Sequence, residues 1–199
     1  MVGVMRRMVG AVLVGCALVL GGCGGASPAP EPLPSATAEP SAPEPPTPAP
    51  TPSASAVARP ERPADMDRTD EVGAAAAAEY FLSLYSYVMQ TGDLAEWDAM
   101  SWESCNFCSG IRDLAVEIAA KQENYQGGAI EAIDVFVFPR DEALDVYPVD
   151  VTYVQDPDAR TDKEGALVNS TSGDAGKFGV DARRVVDQWK ILAVSAQDQ

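Results

Sequence analysis

YQGGAIEAIDVFVF, residues 125–138, is where the chain changes its period. Before Gly127-Gly128, apolar residues recur every three or four positions. After it, Ile133, Val135 and Val137 alternate with Asp134, Phe136 and Phe138, the pattern of a strand with one face turned to a core. The glycine pair reads as the end of a helical half.

Upstream, Ala74, Ala78, Phe81, Tyr85 and Val88 lie at helical spacing and predict a helix over 73–90. Asp70 suits its N-cap and Gly92 its stop. Asp93 is the expected cap of a short helix carrying Leu94, Trp97 and Met100. Ser104 is the expected cap of a third, with Ile111, Leu114, Ala115 and Ile118 on one face. Downstream, Val149, Val151 and Tyr153 alternate with Asp150, Thr152 and Val154. Further strands are expected at 178–186 and 189–194, joined near Asp187-Gln188, with a weaker one at 166–168. Helices followed by strands predict one α+β domain over residues 71–199, its N-terminal helices packed on one face of an antiparallel sheet.

The other end of the chain is an address. Arg6 and Arg7 precede an apolar run from Met8 to Leu20, then Leu20-Gly21-Gly22-Cys23. This order is that of a signal peptide (1–22) whose apolar part is too short to span a bilayer. The last four residues resemble the lipobox of bacterial lipoproteins, which implies cleavage before Cys23 and lipidation of its thiol. Two acyl chains there would give stable anchoring where one gives only marginal binding. Cys16 would leave with the signal. Residues 23–70 are dominated by Pro, Ala, Ser, Thr and Glu and hold almost no large apolar residue. Such a stretch cannot offset its ordering entropy and is expected to be a disordered, extended tether reaching at most about 150 Å.

The chain carries a formal net charge of −16 and no histidine. Loss of Arg6 and Arg7 on cleavage would take the charge to −18. That acidity argues against nucleic acid as a partner. Without imidazole, histidine-activated nucleophiles and histidine-ligated zinc are excluded, and two domain cysteines are too few for a four-cysteine site. No catalytic residue, metal or cofactor is expected. The expected partners are the membrane, through Cys23, and a cell-envelope protein or wall component on the extracytoplasmic side.

Cys105-Asn106-Phe107-Cys108 has two readings. As a disulfide formed outside the cytosol it would staple the corner between the second and third helices. As a Cys-x-x-Cys exchange site it would use a helix N-terminus to acidify a thiol. Exchange motifs follow a strand, and Asp93 to Ser101 reads as helix and turn, which favours the staple.

The layout, with the closing Asp187-Gln188-Trp189-Lys190-Ile191, resembles the nuclear-transport-factor-2-like fold. More closely, the chain resembles an actinobacterial lipoprotein family, domain of unknown function 6318. The lipobox, the tether, Ala78-Glu79-Tyr80-Phe81, Thr91-Gly92-Asp93 and the cysteine pair carry that resemblance. It implies a curved sheet closing with the helices into a cone. Tyr80, Phe81, Tyr85, Trp97, Phe136, Phe138, Tyr153 and Trp189 would line its pocket, or else form ordinary core. A small-molecule enzyme or an apolar-ligand carrier would use such a pocket. Asp134, Asp150 and Asp181 are candidate bases or solvated outward residues. Asp156-Pro157-Asp158 and Ser172-Gly173-Asp174 read as turns, with a calcium role open for the first, and Asn169-Ser170-Thr171 as loop.

Overall fold

The computed structural model describes residues 57–197. The signal peptide, Cys23 and the tether as far as residue 56 lie outside them. Residues 57–70, the last part of the expected tether, fall within the described residues. Residues Ala64–Asp67 form a single 3-10 turn whose Met66 is buried, and Trp189 Nε1 donates to Met66 O at 3.0 Å.

Helix α1, Glu71–Thr91, opens where Asp70 accepts from the Gly73 amide at 3.3 Å. The Arg68 guanidinium, and then that amide, hold the Asp70 carboxyl down at about 2. The helix closes on Gly92 in the left-handed region, whose amide returns to Val88 O. Its alanine run lets it lie close to its neighbours. It packs on β2 (Ile130–Val137) and β3 (Tyr147–Gln155) and against α3 (Asn106–Lys121). The short α2 spans Ala95–Met100, and Asp93 accepts from the Ala95 amide at 3.1 Å, but from one residue before the N-cap, which is Leu94 rather than the expected Asp93. The cap of α3 is Cys105 rather than Ser104: its sulfur accepts from the Cys108 amide at 3.2 Å.

The helical half ends at Gln122, before the glycine pair, and a strand missed in the sequence, β1 (Asn124–Gly127), follows it. β4 (Asp158–Thr161) is a second missed strand. β5 is Leu167–Thr171, β6 is Asp174–Val185 and β7 is Gln188–Gln197.

The α+β class and the helix-before-strand order are observed, but the curved sheet closed into a cone is not. The strands divide between two antiparallel sheets, β2-β3-β6-β7 and β1-β4-β5, and neither closes on itself. The division has a local cause. Three strand lines break at one level: β1 to β2 at Gly127-Gly128-Ala129, β3 to β4 at Asp156-Pro157, and β5 to β6 at Ser172-Gly173. Proline has no amide to give a ladder, and Gly127, Gly128 and Gly173 all take positive φ. What crosses the break are single bonds, Asp156 N to Ala129 O at 2.9 Å and Gly128 N to Pro157 O at 3.1 Å.

The core lies between the helices and the four-stranded sheet. Phe81 stacks on Trp97 at 4.2 Å, Phe107 bridges Trp97 to Phe178, and Phe178 stacks on Tyr153 at 4.2 Å. The Trp97 indole is satisfied by Cys108 O at 3.0 Å. Edge strand β2 departs from simple alternation. A bulge between Ala132 and Asp134 turns Ile133 outward, 58% exposed, while Val135 and Val137 keep the inner face.

Candidate functional site

Where the three-stranded sheet faces α1 and α3, the chain leaves a cleft of about 240 Å³. Its apolar wall is Met89 from α1 with Leu114 and Ile118 from α3. Its polar side is Tyr85, Tyr125, Asp158, Arg160, Asn169 and Thr171. The two missed strands supply Tyr125, Asp158 and Arg160.

Asp158 opens β4 directly after Pro157 and is buried, so its charge must be met. The Thr171 hydroxyl donates to Oδ2 from across the β4–β5 ladder, where the two residues are register partners. The Tyr125 hydroxyl donates to that of Tyr85 at 3.4 Å. Burial first, then the Tyr85 hydroxyl and the Asp158 charge, push Tyr125 far above the ordinary tyrosine range, so it stays protonated. Behind them Arg160 Nε meets Glu123 Oε2 at 3.1 Å, and both side chains are largely buried. The tyrosine ring is held by the strand break itself: a Cβ on Gly128 would come within 2.4 Å of the Tyr125 oxygen. Gln90 ties α1 to the same break by donating to Gly127 O at 3.3 Å.

The eight aromatics expected around one pocket are dispersed. Phe81, Trp97 and Tyr153 are core. Trp189 and Tyr80 border two other surface recesses, and Tyr85 alone of the eight borders this cleft. Phe136 and Phe138 pack edge to face at 4.8 Å on the outside, 55% and 40% exposed. Cys105 and Cys108 are joined in a disulfide, and both residues are buried. An attacking thiol would need access that this burial denies, which counts against exchange. Asp134 is exposed, as a solvated residue would be. Asp150 faces Lys177 at 3.5 Å, and burial and then Asp141 raise the Asp181 carboxyl. None of the three borders the cleft.

A larger recess of about 320 Å³ at the α2–α3 corner includes Cys108, Asp98 and Arg112. Two of its charges are exposed and paired with each other, Arg112 Nε lying 3.1 Å from Asp98. Among the described residues there is no group of three or more histidine, cysteine or carboxylate side chains that could hold a metal ion. No described helix is long and apolar enough to cross a membrane.

The model of a family described as "Family of unknown function (DUF6318)" matches residues 36–195. No curated protein matches the chain in sequence. Among solved structures it is similar to the intermembrane space region of the chloroplast protein ARC6, at 14% identity, over 66% of this chain and 99% of that one, with a TM-score of 0.47. It is also similar to an uncharacterized protein with a cystatin-like fold from Caulobacter vibrioides, at 10% identity, over 63% and 91%, with a TM-score of 0.37. The beta subunit of the benzoate 1,2-dioxygenase from Burkholderia mallei aligns at 14% identity, over 60% and 86%, with a TM-score of 0.35. At such identities and scores these likenesses stop short of a shared chemistry.

Proposed function

On the premise that the chain belongs to the DUF6318 family of unknown function, we propose that it is a lipid-anchored, extracytoplasmic binding module that holds a small molecule in the cleft between α1, α3 and the three-stranded sheet. The observation that carries the binding reading is the lining itself. A buried carboxylate accepts from Thr171 across the ladder, and beside it stand an apolar wall and the side-chain amide of Asn169, which has no hydrogen-bond partner among the described residues. Concave sites of this kind orient a ligand by a few polar groups against an apolar surface.

The module is non-catalytic in this reading. The sequence has no histidine to serve as a base near neutrality, and within the cleft Asp158 accepts from Thr171. The address rests on the lipobox-like Leu20-Gly21-Gly22-Cys23 and on the disulfide, which belongs to an oxidising compartment. The membrane is then the anchor, and a wall component or envelope protein is the nearest source of a ligand.

The test is to purify the lipidated protein from its own membrane, extract it, and identify small molecules, beside a Leu114→Trp variant that fills the cleft. The expected result is a near-stoichiometric compound in the wild type that is lost in the variant. Equal amounts in both, or none in either, would refute the cleft as the site.

A further inference from the structure

We infer that the cleft takes a small organic cation: a protonated amine on a compact apolar body, its nitrogen set against the Asp158 carboxylate. This rests on the binding reading above and adds the chemical class of the ligand.

Charge decides the class. Asp158 is only 9% exposed, and the hydrogen bond it accepts, on Oδ2, comes from the neutral Thr171 hydroxyl. Among the described residues no lysine or arginine forms an ion pair with it. The one guanidinium of the lining, Arg160, is engaged elsewhere: its Nε lies 3.1 Å from Glu123 Oε2, and the Glu123 side chain is 7% exposed. Asp158 and Glu123 bring two negative charges and Arg160 one positive, so the cleft keeps one carboxylate without a counter-charge. A buried charge in that state has exchanged water for weaker partners. A ligand cation restores what burial removed. A neutral ligand does not, and a ligand anion sets a like charge beside the first.

The rest of the lining suits an organic cation better than a metal ion. A metal ion needs several oxygen ligands, and among the described residues no group of three or more carboxylate, cysteine or histidine side chains could hold one. Met89, Leu114 and Ile118 offer apolar surface to the body of the ligand. Tyr85 and Tyr125 border the same space, and aromatic faces attract cations rather than anions. The side-chain carbonyl of Asn169, on exposed β5, is open to accept a second N–H of the amine. The net charge of −16 draws cations to the surface and repels anions. Size follows from volume: about 240 Å³ is the share of about eight waters in the liquid, room for one six-membered ring with a short arm.

The experiment uses three probes of one shape and different charge: benzylammonium, benzyl alcohol and benzoate. Each is titrated at neutral pH into the full chain from residue 23 onward, carrying Cys23→Ser so that no detergent competes for the probe. The methyl signals of Leu114 and Ile118 and the side-chain amide of Asn169 report on the cleft. Benzylammonium is expected to shift all three saturably, at least about tenfold more tightly than the alcohol, with benzoate weakest. Asp158→Asn keeps the shape and an acceptor for Thr171 but removes the charge. It is expected to weaken benzylammonium about tenfold and to leave benzyl alcohol within about twofold. A preference for the ammonium that persists in a folded Asp158→Asn variant would overturn the assignment to this carboxylate. Should that variant not fold, the ranking in the wild-type domain still decides. Benzyl alcohol or benzoate binding as tightly as benzylammonium would overturn the cationic class and leave the binding reading standing. If none of the three moves the cleft signals, both are wrong.

Discussion

Gly128 shapes the cleft from a position outside its lining. It holds φ at +71°, and a Cβ there would strike the Tyr125 oxygen at 2.4 Å. Gly128→Ala therefore strains the backbone and evicts the hydroxyl together. The strain is expected to cost about 1–3 kcal/mol. The two effects separate in a double-mutant cycle. Tyr125→Phe deletes the clashing oxygen, so Gly128→Ala should cost less in the Phe background than in the wild type. Strict additivity in denaturant melts would show that the two do not meet. At this scale the sequence was partly legible. Gly127-Gly128 reads as punctuation, and the strand break is there. Asp158 and Asn169 read as turn and loop, because nothing in Asp156-Pro157-Asp158 or Asn169-Ser170-Thr171 distinguishes a buried, cross-strand partner from a solvated one. The burial of Asp158 comes from α1 and α3, far earlier in the chain, while Asn169 stays exposed.

Among the elements, α3 joins the disulfide to the cleft. Its first turn is capped by Cys105 and stapled to Cys108, and its third and fourth turns carry Leu114 and Ile118. Replacing both cysteines with serine removes a short-loop cross-link, for about 2 kcal/mol. The expected fall in melting temperature is roughly 5–10 °C, with the fold retained. Ligand binding in the cleft at temperatures below the new transition should survive. A double mutant with unchanged melting would deny the staple its role, and insulin-reductase activity of the wild type would revive the exchange reading despite the buried sulfurs. The helices were legible because 21 and 16 residues of periodic sequence average out local ambiguity. β1 and β4 were not. Asn-Tyr-Gln-Gly and Asp-Ala-Arg-Thr are four residues each and mostly polar, and they pair only because the break leaves them facing one another. In β2 the bulge defeats the alternation by one residue and exposes Ile133.

At the scale of the molecule, helix-then-strand order was enough for the α+β class, since each half must bury its apolar face against the other. It was not enough for the shape of the sheet. Whether strands continue through a bend or split into two ladders depends on three breaks falling at one level, which no single segment records. The proposed anchor belongs here too. The amino-terminal residue of the mature protein is expected to be an acylated Cys23, and Cys23→Ala should leave the chain unlipidated and uncleaved or released. Full-length, unlipidated protein recovered in the membrane would contradict that address. The claim on which the account turns is that the cleft is a ligand site, and the most direct measurement is a crystal structure of the protein purified from its own membrane. The account predicts a small molecule against Leu114 and Ile118, within hydrogen-bonding distance of the Tyr85 hydroxyl and the Asn169 amide. Ordered water alone in the cleft, or a cleft closed by its own side chains, would contradict it.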